Sequence, residues 1–155
     1  MVIGVGDILF TSFFTDDDGT IDMSFSFVAT TSIAAGEVIT FHHPESGGDA
    51  YFTYTVGPNG LAADEFVRIS VPNGTGTPSL IGVDPSGASA IGALQGASWD
   101  VAGTDNIIAS SGTTAITAIS VRDGSTALDN AGVLSGGVTI TALATTIETA
   151  TIVNQ

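Results

Sequence analysis

Short segments in which apolar and polar residues alternate recur along this chain. The clearest covers residues 23–28 (MSFSFV), where Met23, Phe25 and Phe27 occupy one side and two serines the other. Because successive side chains of a β-strand point to opposite faces, this period of two predicts a strand with one buried face. Similar patterns or β-branched runs predict further strands at residues 2–14, 37–41, 51–56, 66–71, 79–83, 106–109, 116–121, 137–143 and 145–153.

Turn-forming residues separate these segments. Gly-Pro-Asn-Gly at 57–60 and Pro-Asn-Gly at 72–74 each follow a predicted strand, and the polar residues 42–49 are interpreted as a loop. Residues 90–94 are interpreted as a single helical turn. Many short strands with such turns are typical of an all-β sandwich with Greek-key connections. No internal boundary is visible, so residues 1–155 are expected to form a single β-sandwich domain.

The amino-acid composition supports an all-β fold and removes several kinds of chemistry. Thr, Ser, Gly, Ala, Ile and Val dominate, and helix-favouring residues are scarce. Cysteine is absent, which excludes disulfides, thiol catalysis and cysteine-ligated zinc. Lysine is also absent, which excludes Schiff-base catalysis and isopeptide cross-links through lysine. Any polymer of this chain must therefore be held together non-covalently.

Acidic residues far outnumber basic ones. Only Arg68 and Arg122 stand against 16 Asp and Glu, and the formal net charge is −14. Phosphate and anionic lipid surfaces attract clustered Lys and Arg, so nucleic acid and membrane surfaces are not expected partners. Divalent cations, cationic surfaces and, where salt screens the charge, copies of the same chain are compatible partners. The alternative is that the acidic residues serve only to keep an apolar β-protein soluble.

Neither a membrane span nor a secretion signal is visible. The chain has no run of 18 apolar residues, and residues 1–7 lack the basic start of a Sec signal. The rigid, β-rich and acidic character nevertheless predicts an extracellular or cell-surface protein. Such a location requires either a signal that was removed earlier or a route without an N-terminal signal. A cytosolic location is the third alternative.

Five segments resemble one bacterial family. These segments are GDILFT at 6–11, FSFV at 25–28, IAAGEVITF at 33–41, LAADEFVRI at 61–69 and DNIIA at 105–109. The pattern resembles the lamin-tail-like, immunoglobulin-like domain of secreted bacterial proteins, which often stands next to hemolysin-type calcium-binding repeats. The resemblance implies an extracellular β-sandwich without catalytic residues. Here the domain stands without appended repeats or an enzyme, which favours self-assembly.

A cluster of carboxylates is the candidate metal site. Asp16, Asp17, Asp18 and Asp22 surround a glycine, and Ca²⁺ takes six to eight oxygen ligands that such a turn supplies in part. The spacing differs from that of an EF-hand, and the alternative is a solvated hairpin turn. Calcium is thus the one cofactor that the sequence suggests.

Residues suited to catalysis are few, and none forms a recognisable motif. His42 and His43 are adjacent, so on a strand they would point to opposite faces and could not easily share a metal with Glu45 or Asp49. No nucleophile elbow is present. A hydrolase whose carboxylates meet only in the fold is a third possibility, but the sequence predicts a protein that is not an enzyme.

Both ends of the chain are β-prone and nearly uncharged. Exposed strands of this kind pair with other chains, and lysine, the usual guard of a sheet edge, is missing. The sequence therefore predicts a structural protein that assembles with itself into a filament or surface sheet. The rival hypothesis is a monomeric, calcium-dependent module for adhesion or for binding cell-surface glycans. The residues assigned to assembly strands are Val2, Ile3, Ile8, Phe10, Ile140, Leu143, Ile147 and Ile152.

Overall fold

The structure is a computed structural model of the chain. Within its described residues, a search for a helix with the length and hydrophobicity of a membrane span finds none. The described residues are 2–14, 23–45, 48–71, 77–81, 91–96, 106–120, 134, 137–138 and 148–149.

Within the described residues, ten β-strands form two sheets. The first sheet has four strands in the order β1-β2-β5-β6, and the second has six in the order β10-β9-β8-β3-β4-β7. All pairs are antiparallel except that of β10 with β9. The strands are β1 (Ile8–Phe14), β2 (Met23–Ala29), β3 (Val38–Glu45), β4 (Gly48–Val56), β5 (Phe66–Val71), β6 (Ser79–Ile81), β7 (Gly92–Gly96), β8 (Asn106–Ser111), β9 (Thr114–Ser120) and β10 (Glu148–Thr149).

Alternation along β2 decides which side of the four-stranded sheet faces the core. Phe25 and Phe27 are fully buried, whereas Ser26 and Val28 between and after them are only half-buried on the opposite face. Apolar burial is favourable by about 25 cal/mol per Å², so the strand orients its phenylalanines inward. The predicted strand at residues 23–28 is thereby confirmed.

Aromatic side chains from both sheets meet in the main core. The rings of Phe25 and Phe41 lie 5.0 Å apart at 60°, and those of Phe27 and Tyr54 lie 5.7 Å apart at 71°. Phe25 and Phe27 belong to the four-stranded sheet, and the other two belong to the six-stranded sheet. Tilted and edge-to-face pairs of this kind add about 0.5–1.5 kcal/mol beyond the area that they bury. The two sheets therefore pack face to face, as in a β-sandwich, and the all-β prediction is confirmed.

A second, smaller core lies on the other side of the six-stranded sheet. Ile108, Ala115 and Ala118 point away from the main core and are nevertheless buried together with Leu134 and Val138. The N–H of Leu134 donates to the carbonyl of Val138 at 3.2 Å, which closes a short turn over this part of the sheet. The outer face of β8 and β9 is thus covered by a later segment of the same chain.

Two local predictions are wrong. The residues interpreted as a helical turn at 90–94 mostly belong to β7, and those interpreted as a loop at 42–49 mostly belong to β3 and β4. In β7, a Cβ on Gly92 would clash with the carbonyl of Thr55 and lie 2.5 Å from Cε2 of Tyr54. Glycine at this position therefore lets the backbone of β7 approach β4 closely, a reason for strand formation that local propensity does not contain.

Candidate assembly surface

β1 lies at an edge of the four-stranded sheet. Among the described residues it pairs with β2 alone. Its sequence, ILFTSFF, contains no charged residue and no proline. An edge strand offers a row of backbone N–H and C=O groups that another chain can pair with. Lys, Pro and inward-pointing charges, which usually protect such edges, are missing from β1.

A β-bulge interrupts β1 near its centre. Phe10 pairs with Phe27 and Ser12 with Ser26, so Thr11 is an extra residue without a register partner in β2. The Oγ1 of Thr11 lies 2.8 Å from Oγ of Ser26, and Oγ of Ser12 lies 2.5 Å from the same atom. Bulges at sheet edges twist the strand and make regular pairing with another chain harder. Among the described residues, the bulge is therefore the feature that protects this edge.

The structure separates the predicted assembly residues into three groups. Ile3 and Ile8 are buried in the main core of their own molecule, and Phe10 packs against that core while half-buried. Val2 is 79 % exposed. The residues predicted at the other end of the chain, Ile140, Leu143, Ile147 and Ile152, lie outside the described residues.

Residues 2–7 attach the start of β1 to both sheets. The hydroxyl of Thr30 donates to the carbonyl of Gly6 at 2.5 Å, and the N–H of Thr30 donates to the carbonyl of Asp7 at 2.9 Å. On the other side, the N–H of Gly6 donates to the carbonyl of Ile116 in β9 at 3.4 Å. The N–H of Gly4 donates to Oδ2 of Asp7 at 2.7 Å. These bonds fix where β1 begins and hold it in place.

The outward side of the four-stranded sheet, called the open face below, carries exposed apolar residues in a row. Register pairs Leu9 of β1 with Val28 of β2, and Val28 with Phe66 of β5. Phe66 is 62 % exposed and Phe14, at the far end of β1, is 52 % exposed. The row itself depends on the order of the strands, which the sequence does not reveal.

The two histidines are buried side chains of β3. His42 and His43 are each 1 % exposed, and Nε2 of His42 lies 2.8 Å from Oγ of Ser110 in β8. Ser110 is itself fully buried. A serine nucleophile has to reach its substrate, so this His–Ser pair has the geometry of a structural contact rather than of a catalytic pair.

The predicted calcium ligands Asp16, Asp17, Asp18 and Asp22 lie outside the described residues. Over the part of the chain that the structure describes, no three His, Asp or Glu side chains come close enough to hold a metal ion. A calcium site at residues 16–22 therefore stays a prediction.

Tyr54 is a buried titratable residue of β4 whose surroundings raise its pKa. Burial raises the pKa of its hydroxyl well above the ordinary value near 10, and the negative charge of Glu65 raises the pKa further. The hydroxyl donates to the carbonyl of Ile91 at 2.6 Å. Tyr54 is thus a neutral hydrogen-bond donor that ties the end of β4 to the residue before β7.

The chain matches no protein-family model, no curated protein and no solved structure. The resemblance to the lamin-tail-like domain therefore stays a prediction carried by residues 6–11, 25–28, 33–41, 61–69 and 105–109.

Proposed function

We propose that the protein is a non-enzymatic structural subunit that assembles with itself outside the cell, without covalent links, into a filament or surface sheet. The observation that carries the proposal is the position of β1 at a sheet edge, with an uncharged sequence and two exposed apolar side chains. Strand addition at this edge supplies backbone hydrogen bonds, and the side chains supply specificity. A contact between β1 of one copy and a different edge of the next extends without closing.

The finer fold assignment is part of the same proposal. The chain passes from β2 to β3 and from β4 to β5 by crossing between the two sheets, as the strand orders show. Crossings of this kind support a Greek-key, immunoglobulin-like sandwich related to the lamin-tail-like domain. An extracellular location agrees with that relationship and with a net charge of −14, which keeps single subunits soluble until salt screens it.

Two substitutions of Thr11 test strand addition directly. Thr11→Pro removes a backbone N–H at the bulge, where β2 offers no register partner and where proline is tolerated. Thr11→Val removes the hydroxyl but keeps the N–H, and so serves as the matched control. We expect wild type and Thr11→Val to form filaments or sheets in negative-stain electron microscopy at moderate salt. Thr11→Pro should remain as small particles with an unchanged circular dichroism spectrum.

The rival function gives a different result in the same experiment. A monomeric calcium-dependent binding module would appear as small single particles in all three proteins. Its melting temperature would rise with added Ca²⁺ through mass action. Small wild-type particles in every salt condition would overturn the assembly proposal.

A further inference from the structure

The described strands that form the open face carry no acidic residue, although the chain as a whole is strongly acidic. The four strands of this sheet, ILFTSFF, MSFSFVA, FVRISV and SLI, contain no Asp or Glu, whereas the chain contains 16. Their single charged residue is Arg68, which is exposed on the open face. Acidic residues such as Glu37, Asp64 and Glu65 lie between the strands, so a second copy that approaches these connections meets like charges, which repel. On the open face it meets apolar and hydroxyl groups and one cation.

Outward-pointing residues of β2 and β5 that are register partners lie side by side on the open face. Val28 of β2 pairs with Phe66 of β5, and two residues further along Ser26 pairs with Arg68. The guanidinium of Arg68 also donates to Oγ of Ser24 at 3.3 Å. Each pair therefore combines a smaller side chain on β2 with a larger one on β5.

We propose that the open face binds the open face of a second copy, in a symmetric pair. The two-fold axis lies in the plane of contact, parallel to the strands and above the gap between β2 and β5. It places β2 of each copy over β5 of the other, with residues that are register partners within one copy facing each other between copies. Phe66 then packs on Val28 of the second copy, and Arg68 faces the hydroxyl of Ser26. The two Arg68 side chains lie at the same level about one strand spacing apart, so their repulsion weakens the contact and salt that screens it strengthens pairing. An arrangement in which one patch contacts itself is the usual geometry of a symmetric dimer. Sheets that pack face to face keep their strands within about 30° of each other, which agrees with this axis.

The size of the face indicates a weak contact. Three strands of six or seven residues and one of three residues, spaced about 4.8 Å apart, cover roughly 350 Å². This is less than half of the roughly 800 Å² that each partner buries in a typical stable interface. A single pair should therefore dissociate at low concentration. Many such pairs along two filaments add up through multivalency and hold the filaments together. The role in joining filaments rests on the proposed function, whereas the pairing of single subunits does not.

The experiment uses Phe66→Glu and the matched control Tyr51→Glu. Both replace a large aromatic residue that is exposed on the outward side of a sheet (Phe66 62 %, Tyr51 48 %), and both add one negative charge. Each substitution is made in wild type and in the edge-blocked variant Thr11→Pro. Sedimentation velocity over a concentration series at moderate salt measures pairing of the Thr11→Pro proteins, and electron microscopy measures how filaments of the others associate.

The expected results distinguish this proposal from strand addition at β1. Thr11→Pro alone and with Tyr51→Glu should show a concentration-dependent dimer, whereas adding Phe66→Glu should weaken dimerisation at least about tenfold. With Thr11 intact, Phe66→Glu should give single, unbundled filaments. Dimers that persist with Phe66→Glu, or a Thr11→Pro protein that stays monomeric at every concentration, would overturn the open-face proposal. Absence of filaments in wild type would instead overturn the proposed function and leave the dimer test intact.

Discussion

Tyr54 lies fully buried where β4 meets β7, and its hydroxyl donates to the carbonyl of Ile91. Replacing it by phenylalanine leaves that carbonyl without this donor while the ring packing is kept. The carbonyl still accepts the N–H of Gly57 at 2.8 Å, so the variant loses one hydrogen bond, which contributes about 0.5–1.5 kcal/mol to stability. We therefore expect Tyr54→Phe to lower the free energy of unfolding by about that amount near pH 8, measured by urea denaturation.

The free energy of unfolding of Tyr54→Phe should also depend on pH differently from that of wild type. The pKa of Tyr54 is raised in the folded protein, so above about pH 10 the folded state keeps a proton that the unfolded state releases. The free energy of unfolding must then fall as the pH rises above that value. Tyr54→Phe lacks this group, so its stability should fall less steeply with pH. Parallel pH profiles for the two proteins above pH 10 would contradict the assigned burial of the hydroxyl.

At the level of secondary structure, the bulge in β1 controls how easily another strand can add. Thr11 has no register partner, and Phe10 and Phe13 point inward on either side of the bulge. Deleting Thr11 keeps the inward and outward alternation of the other residues and gives a regular edge. We expect this deletion variant to fold and to assemble faster than wild type, measured as a shorter lag in light scattering.

Two changes at Thr11 with opposite expected effects test this prediction together. Removing Thr11 should accelerate assembly, and Thr11→Pro should prevent it, because the first regularises the edge and the second removes a donor from it. Equal assembly rates for wild type and the deletion variant would show that the bulge does not limit pairing. A circular dichroism spectrum like that of wild type is the control for folding.

The strands that could be predicted from the sequence are those whose side chains alternate clearly. β5 has the predicted bounds, residues 66–71, and β2 extends the prediction by Ala29 alone. β7 was missed because its sequence, GALQG, has no strand pattern, and its strand geometry depends on glycines that contact β4. The continuation of β3 through His42 and His43 was missed because pairing with β4 outweighs the turn-forming residues nearby.

The candidate surface was only partly predictable for a similar reason. A β-prone start of the chain is visible in the sequence, but the edge position of β1 depends on the order of strands in the sheet. Ile3 and Ile8 are predicted to belong to an assembly strand because the start of the chain is β-prone and nearly uncharged; their side chains are buried in their own molecule, and Ile8 begins β1. Phe66 was not singled out, because its exposure beside Val28 and Leu9 arises from long-range pairing.

For the molecule as a whole, the net charge of −14 sets the conditions of assembly. The Debye length falls from about 30 Å at 0.01 M salt to about 10 Å at 0.1 M, so repulsion between subunits weakens steeply over this range. We expect the mass of sedimented polymer to rise with NaCl across it. At equal ionic strength, MgCl₂ and CaCl₂ should give similar amounts of polymer if screening alone acts.

A larger effect of CaCl₂ than of MgCl₂ would instead show that carboxylates bind Ca²⁺ specifically, as Asp16, Asp17, Asp18 and Asp22 are predicted to do. Replacing these four by asparagine should then remove the difference between the two cations. The charge of the variant is less negative, so its response to NaCl provides the control for screening.

The segment that contributes Leu134 and Val138 has a consequence for how thick an assembly can grow. Leu134 and Val138 cover Ile108, Ala115 and Ala118 on the outer side of β8 and β9, so this part of the six-stranded sheet offers no surface for stacking. If two copies pair through their open faces, this cover hinders a third copy from stacking on the opposite side. We therefore expect any layer built from this protein to be a bilayer of subunits. Additional protein should make the layer wider or longer and leave its height unchanged.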